Sequence, residues 1–167
     1  MNHGLARCGS LALIVALAAA HAVADCVWIG GSHGYWSDAS NWEGGAKPSS
    51  GGVTVRFDTA GDFTNDISGV VLTGLQFLGS GMTRLSGNKL TTKKSSATTV
   101  TNSCPFELAC DVDVAYNSRF TFWPNADASF TGAFTLGDHG NIFLLGGKQR
   151  EHAGRVEFWG PVTGGFN

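Results

Sequence analysis

The stretch V-W-I-G-G-S-H-G-Y-W-S-D-A-S-N-W-E-G-G-A-K-P-S-S-G-G-V-T-V-R-F, residues 27–57, decides the fold. It carries Trp28, Trp36 and Trp42, three of the five tryptophans of the chain. Gly pairs, Pro48 and Ser, Asp and Asn turn formers separate them, which is the chemistry of tight turns. The stretch closes on Val53-Thr54-Val55-Arg56-Phe57, where strict alternation of apolar and polar residues marks a half-buried strand. It is therefore the entry to a long β-structure that starts near Ser68 and runs to the end of the sequence.

From residue 25 onward, no segment keeps apolar residues at i, i+3, i+4 and i+7 over ten positions, so no helix is expected. Short apolar or alternating runs appear instead at 70–72, 75–78, 83–86, 89–92, 98–101, 106–109, 112–115, 119–123, 129–136, 141–145 and 155–159. Runs this short and frequent predict an all-β fold. Few intervals contain a two-residue hairpin signal such as Asn-Gly; Asn88 precedes Lys89, and Asn117 precedes Ser118. Meanders and sandwiches favour such turns, whereas a parallel β-helix joins its strands through bends. A parallel β-helix is expected, with an antiparallel, lectin-like β-sandwich as the alternative. An internal echo points the same way. Arg119-Phe120-Thr121-Phe122-Trp123-Pro124 is matched by Arg155-Val156-Glu157-Phe158-Trp159, 36 residues on, and more weakly by Arg84-Leu85-Ser86, 35 residues earlier. This predicts that the two matching strands lie one above the other on consecutive coils, with the polar stretch 146–154 looping out.

The first 24 residues have the organisation of a cleaved leader. Arg7 supplies a weak positive start, residues 11–20 are apolar, and Ala22-Val23-Ala24 fits the small-x-small rule, which places the new N-terminus at Asp25. The apolar run is shorter than the roughly 20 residues that span a bilayer, so export without a transmembrane segment is expected. Asp25 and Ala24 do not form the small-residue box that precedes a lipidated cysteine at Cys26. Without the leader, 143 residues remain, enough for one domain. Ten Lys and Arg then stand against thirteen Asp and Glu, a net charge of −3. That balance argues against nucleic acid and anionic membrane surfaces. The division expected is leader 1–24, an N-terminal cap 25–67 and solenoid coils 68–167, incomplete at the C-terminus. Three cysteines stay, Cys26, Cys104 and Cys110. A disulfide needs its Cα atoms within about 7 Å, and six residues of extended strand span about 20 Å. Cys104 and Cys110 are therefore unbridged if Phe106-Glu107-Leu108 is straight.

The entry motif W-I-G-G-S-H-G-Y-W-S-D-A-S-N-W-E-G-G-A-K-P and its Val-Thr-Val-Arg-Phe strand resemble the opening of secreted bacterial proteins with autotransporter-associated β-strand repeats. Phe130-Thr131-Gly132, Leu144-Leu145-Gly146-Gly147 and Val156-Glu157-Phe158-Trp159-Gly160 are similar to the strand-Gly repeats of such passengers. The likeness covers most of residues 27–165. It implies a right-handed parallel β-helix carried to the cell surface or beyond, usually without a known activity. The sequence lacks the family's C-terminal barrel, which would show as alternating ten-residue segments, and stops inside the pattern. A fragment or truncated product is expected.

Trp28, Trp36 and Trp42 suit either an aromatic platform for a sugar or a hydrophobic plug over the first coil, and their apolar area favours the plug. Alternation along a strand turns Phe120, Phe122, Val156 and Phe158 inward. It turns Arg119, Thr121, Trp123, Arg155, Glu157 and Trp159 outward. Stacked coils would make Trp123 and Trp159 neighbours on the outer face, the candidate ligand-facing aromatics. The competing reading is a stacked pair that covers the ladder. Asp111 and Asp113 share a face around Val112, but calcium asks for six to eight oxygens, and only Asn117 could join them. Asp58, Asp62, Asn65 and Asp66 lack calcium-loop spacing and are read as a turn. Glu151-His152 sits in a polar loop with no second carboxylate assigned to it, and a glycosidase needs two. His3, His21, His33, His139 and His152 show no zinc spacing, and no phosphate loop, serine elbow or His-Glu-x-x-His is present. No catalytic residue, cofactor or metal site is assigned. The expected function is an exported structural or adhesive β-solenoid domain, not an enzyme. Its expected partners are a surface glycan, or neighbouring chains through an open solenoid end. A carbohydrate-binding or carbohydrate-processing β-helix is the alternative.

Overall fold

The structure, a computed structural model, describes residues 24–144 and 154–164. Residues 1–23 of the expected leader, and Glu151 and His152, lie outside the described residues. The strands in chain order begin with β1 (Ala24–Trp28), β2 (His33–Tyr35), β3 (Val53–Phe57), β4 (Gly61–Asn65), β5 (Val71–Phe77) and β6 (Thr83–Gly87). Next come β7 (Leu90–Thr92), β8 (Ala97–Asn102), β9 (Phe106–Leu108), β10 (Val112–Val114) and β11 (Arg119–Pro124). The last are β12 (Ala128–Phe130), β13 (Phe134–Leu136), β14 (Asn141–Leu144), β15 (Val156–Phe158) and β16 (Val162–Gly164).

Among the described residues every pairing between these strands is parallel. The fold is an all-β solenoid, and the antiparallel sandwich is excluded. Three ladders form its faces. The first runs β1, β3, β5, β8, β11, β14; the second runs β2, β4, β6, β9, β12, β15; the third runs from the start of β5 through β7, β10 and β13 to β16. Parallel pairing thus begins at β1, inside the stretch expected to act as a cap. Strand β5 serves two ladders because Val71 and Leu72 pair with β7, whereas Gly74 to Phe77 pair with β8. Residues 129–136, one run by sequence, split into β12 and β13 around a corner at Gly132.

The register sets the coil length. Phe120 lies opposite Thr98 on one side and Ile142 on the other, 22 residues each way. Phe130 lies opposite Phe158, 28 residues on, because the last coil is longer. The expected 36-residue stacking is therefore wrong. Strand β11 belongs to the first face and β15 to the second, so their likeness reflects a shared inward-outward alternation and not a shared rung.

Alternation also explains the core. Inward positions carry aromatic rings that stack from coil to coil. Phe57 stacks on Phe77 at 5.7 Å, Phe77 on Phe106 at 4.2 Å and Phe130 on Phe158 at 4.8 Å. Trp28, Trp36 and Trp42 are fully buried, with Trp42 edge-on to both others. They plug the N-terminal coil and leave no platform for a sugar. The segment 58–66, expected to be a turn, contains β4. Phe63 sits at an inward position there and stacks on Phe57 at 4.5 Å, which draws the polar residues around it into a strand.

Buried polar groups hold the corners. The Asn102 amide donates to Cys104 O (3.0 Å) and Ala126 O (2.9 Å) and accepts from Asn125 N (3.1 Å). Glycine is required where corners stack. A Cβ on Gly132 would lie 2.1 Å from Cys110 O, and one on Gly160 2.1 Å from Gly132 O. Cys26, Cys104 and Cys110 are free, and straight β9 separates the last two.

Candidate functional site

The first face presents a cation and exposed aromatic rings among threonines. Its outward rows across β8, β11 and β14 read Ala97, Arg119, Asn141, then Thr99, Thr121, Phe143, then Thr101, Trp123. Trp123 and Phe143 are each 42% exposed. They occupy diagonal positions about 7–8 Å apart, within reach of large side chains.

The rows end at a corner that repeats with the coil. Ser95, Asn117 and His139 stand at successive rungs, with φ of 54°, 50° and 56°. Left-handed backbone in three non-glycine residues is uncommon, and Asn and His are among those that tolerate it. Hydrogen bonds bind the rungs, from Ser95 N to Tyr116 O (3.2 Å) and from Asn117 N to Asp138 O (2.9 Å). Beneath them, buried Ser118 shares a 2.7 Å hydrogen bond with Thr92 Oγ1 and contacts Ser96 O at 3.0 Å. Outside, Lys94 lies over the Tyr116 ring, which meets His139 edge-on at 5.8 Å.

Between this corner and β14 lies a groove of about 390 Å³, within the range of small-molecule sites, roughly 300–1,000 Å³. It is lined by Ser95, Ser96, Asn117 and His139 of the corner and by Arg119, Asn141 and Phe143 of β11 and β14. The ion pairs of the described residues join Arg56 to Asp58, Arg84 to Glu107, Lys89 to Asp113 and Arg155 to Glu157. Arg119 takes part in none of them.

The other expected residues stand apart. Trp159 is 70% exposed, but it follows β15 on the second face, where its Nε1 donates to Glu157 Oε2 at 3.3 Å. It is no neighbour of Trp123, and the expected aromatic pair does not form. A smaller hollow of about 120 Å³ lies on that face near Met82, Asp127 and Arg155. Asp113 binds Lys89 Nζ at 2.6 Å, and Asp111 Oδ1 accepts from Ala133 N at 2.9 Å. The hydrogen bond from Lys89 to the Asp113 carboxylate holds the lysine pKa above its usual value. Both carboxylates thus have protein partners, and the described residues contain no cluster of three His, Cys, Asp or Glu.

Sequence reasoning had Arg119 and Trp123 facing outward but missed the groove. The available signal was the 22-residue recurrence of Ser95-Ser96 and Asn117-Ser118, continued at His139. No family model, curated protein or solved structure matches the chain.

Proposed function

We propose that this chain is an exported β-solenoid, structural or adhesive at the cell surface and without catalytic activity of its own. The observation that carries the reading is a core filled with stacked aromatic rings beneath a polar, threonine-rich outer face on which Trp123 and Phe143 stand exposed. A filled interior makes a stiff rod and leaves recognition to the outside. The resemblance of residues 27–57 to secreted passengers and the leader-like residues 1–24 support export. The partners are a surface glycan on the outer face, or neighbouring chains at the coil of β14, β15 and β16. Among the described residues no helix is long and apolar enough to cross a membrane.

The test is retention without turnover. Beads carrying the purified chain are incubated with cell-wall polysaccharides, and both retention and released reducing ends are measured. Retention with no release is expected. Release of reducing ends would replace this reading with a carbohydrate-processing one.

A further inference from the structure

We infer that the groove between the Ser95–Asn117–His139 corner and β14 binds a carboxylated linear polysaccharide along the axis of the solenoid. The inference rests on the adhesive reading and names its ligand class.

Three features of the groove converge. Its cation, Arg119, belongs to none of the ion pairs of the described residues. Guanidinium pairs with a carboxylate in a planar, two-pronged geometry. Asp138 precedes His139 in sequence but does not line the groove. Besides the His139 imidazole, the rest of the polar lining is hydroxyl and amide, from Ser95, Ser96, Asn117 and Asn141. Such groups both donate and accept, which suits the hydroxyls of a sugar. Phe143, also part of the lining, offers an exposed ring to the C–H face of a pyranose.

Spacing selects a polymer over a single sugar. The corner residues repeat once per coil, and adjacent rungs are about 4.8 Å apart. That pitch is close to the advance per residue of an extended polysaccharide, so successive sugars would meet Ser95, Asn117 and His139 in turn. The floor is fixed, because buried Ser118 ties the corner to Thr92 and to the Ser96 carbonyl. A preformed site of this kind spends little of its binding free energy on ordering.

The experiment is titration calorimetry on the purified chain with three probes: an oligogalacturonate, a neutral cello-oligosaccharide of equal length, and poly-L-glutamate. Binding of the oligogalacturonate in preference to both others is expected. Arg119→Gln should weaken it about tenfold or more, the usual effect of losing a hydrogen bond to a charged group. Phe143→Ala should weaken both saccharides. Lys89→Gln, on another face, should change neither. Arg119 and Phe143 point outward, and unchanged thermal melting of the variants verifies their fold. Equal binding of the neutral sugar overturns the carboxylate assignment and leaves adhesion standing. Equal binding of poly-L-glutamate reduces the site to a charge effect. Absence of binding to the oligogalacturonate, or an unchanged Arg119→Gln titration, overturns the inference. Retention of the same chain on other cell-wall polysaccharides would still separate that failure from failure of the adhesive reading.

Discussion

Replacing Asn102 by Ala tests whether side chains or backbone ladders hold the corners of the solenoid. Asn102 is buried at the end of β8, and its amide bridges two coils. The substitution strands Cys104 O, Ala126 O and the N–H of Asn125. A buried group left without its partner costs about 1–3 kcal/mol. The Cys104 bond is fully buried, while the other two are only partly so, and water can satisfy part of the loss there. The expected destabilisation is therefore about 2–4 kcal/mol, a large share of the 5–15 kcal/mol typical of a domain. Urea unfolding followed by tryptophan fluorescence suits the measurement, since Trp28, Trp36 and Trp42 report on the core. With a slope of about 2 kcal/mol per molar urea, the midpoint should fall by about 1–2 M. Stacked coils unfold progressively if cooperativity is weak, so circular dichroism must give the same midpoint before the value is read as a free energy. Asn88→Ala, at an exposed corner, should stay within about 0.5 kcal/mol of the parent. A loss below about 1 kcal/mol for Asn102→Ala would refute the argument and assign the corners to the backbone ladder alone.

Three further outcomes are expected. Trp42→Phe should be less stable than Trp36→Phe by about 1–3 kcal/mol in the same assay, because Trp42 Nε1 donates to Trp36 O at 2.8 Å while Trp36 Nε1 has no partner among the described residues; equal losses would contradict this. Burial pushes the Cys110 thiol up from 9.0 to about 12. Between those values the unfolded chain releases a proton that the folded chain keeps, so stability should fall with rising pH by about 1.4 kcal/mol per unit. Cys110→Ala should fall less steeply, and parallel pH profiles would reject the assignment. Leu144 and Val162 expose apolar surface on the last described coil, beside strand edges that invite pairing. The purified chain should therefore self-associate in sedimentation over a concentration series. Leu144→Glu with Val162→Glu should shift it toward monomer, and a parent that is monomeric at every concentration would contradict the open-edge reading.

The strands were legible because alternation is a local signal. The strand of Val53 to Phe57 buries Val53, Val55 and Phe57, and β11 buries Phe120 and Phe122, as the alternation requires. Register was not legible, because any two strands with the same alternation resemble each other whichever face they occupy. Arg119 and Arg155 head such a pair on different faces. The stacked pair, Phe130-Thr131-Gly132 under Phe158-Trp159-Gly160, was visible as two strand-Gly units. Its spacing of 28 was masked by the longer last coil, while the rungs just before it, β8 to β11, β9 to β12 and β10 to β13, follow 22. Segment 58–66 failed for the opposite reason. Its acidic density suggested a turn, and the one residue that decides it, Phe63, is recognisable only once Phe57 is known to lie beneath it. The groove shared the fate of the register. Ser95, Asn117 and His139 have little in common as side chains, and only the coil length brings them to one corner.

The way the core is filled bears on how the groove can work. At the N-terminal end, Trp28, Trp36 and Trp42 are sealed from solvent, and each following coil to β13 packs on a filled neighbour. In the coil of β14, β15 and β16 the inward residues Ile142, Val156 and Phe158 are only partly buried. In a stack stabilised mainly by nearest-neighbour contacts, such a coil opens at the lowest free energy. The groove crosses this gradient. Arg119 stands at the start of β11, flanked by buried Ser118 and Phe120, whereas Asn141 and Phe143 stand on the less buried rung. A ligand held by both rungs would bridge a firm coil and a looser one. It would bind the closed arrangement alone and so favour it by mass action. Arg119 thus stands on a well-packed coil and Phe143 on the coil whose inward residues are only partly buried, so a ligand of the proposed kind would hold the looser coil in place.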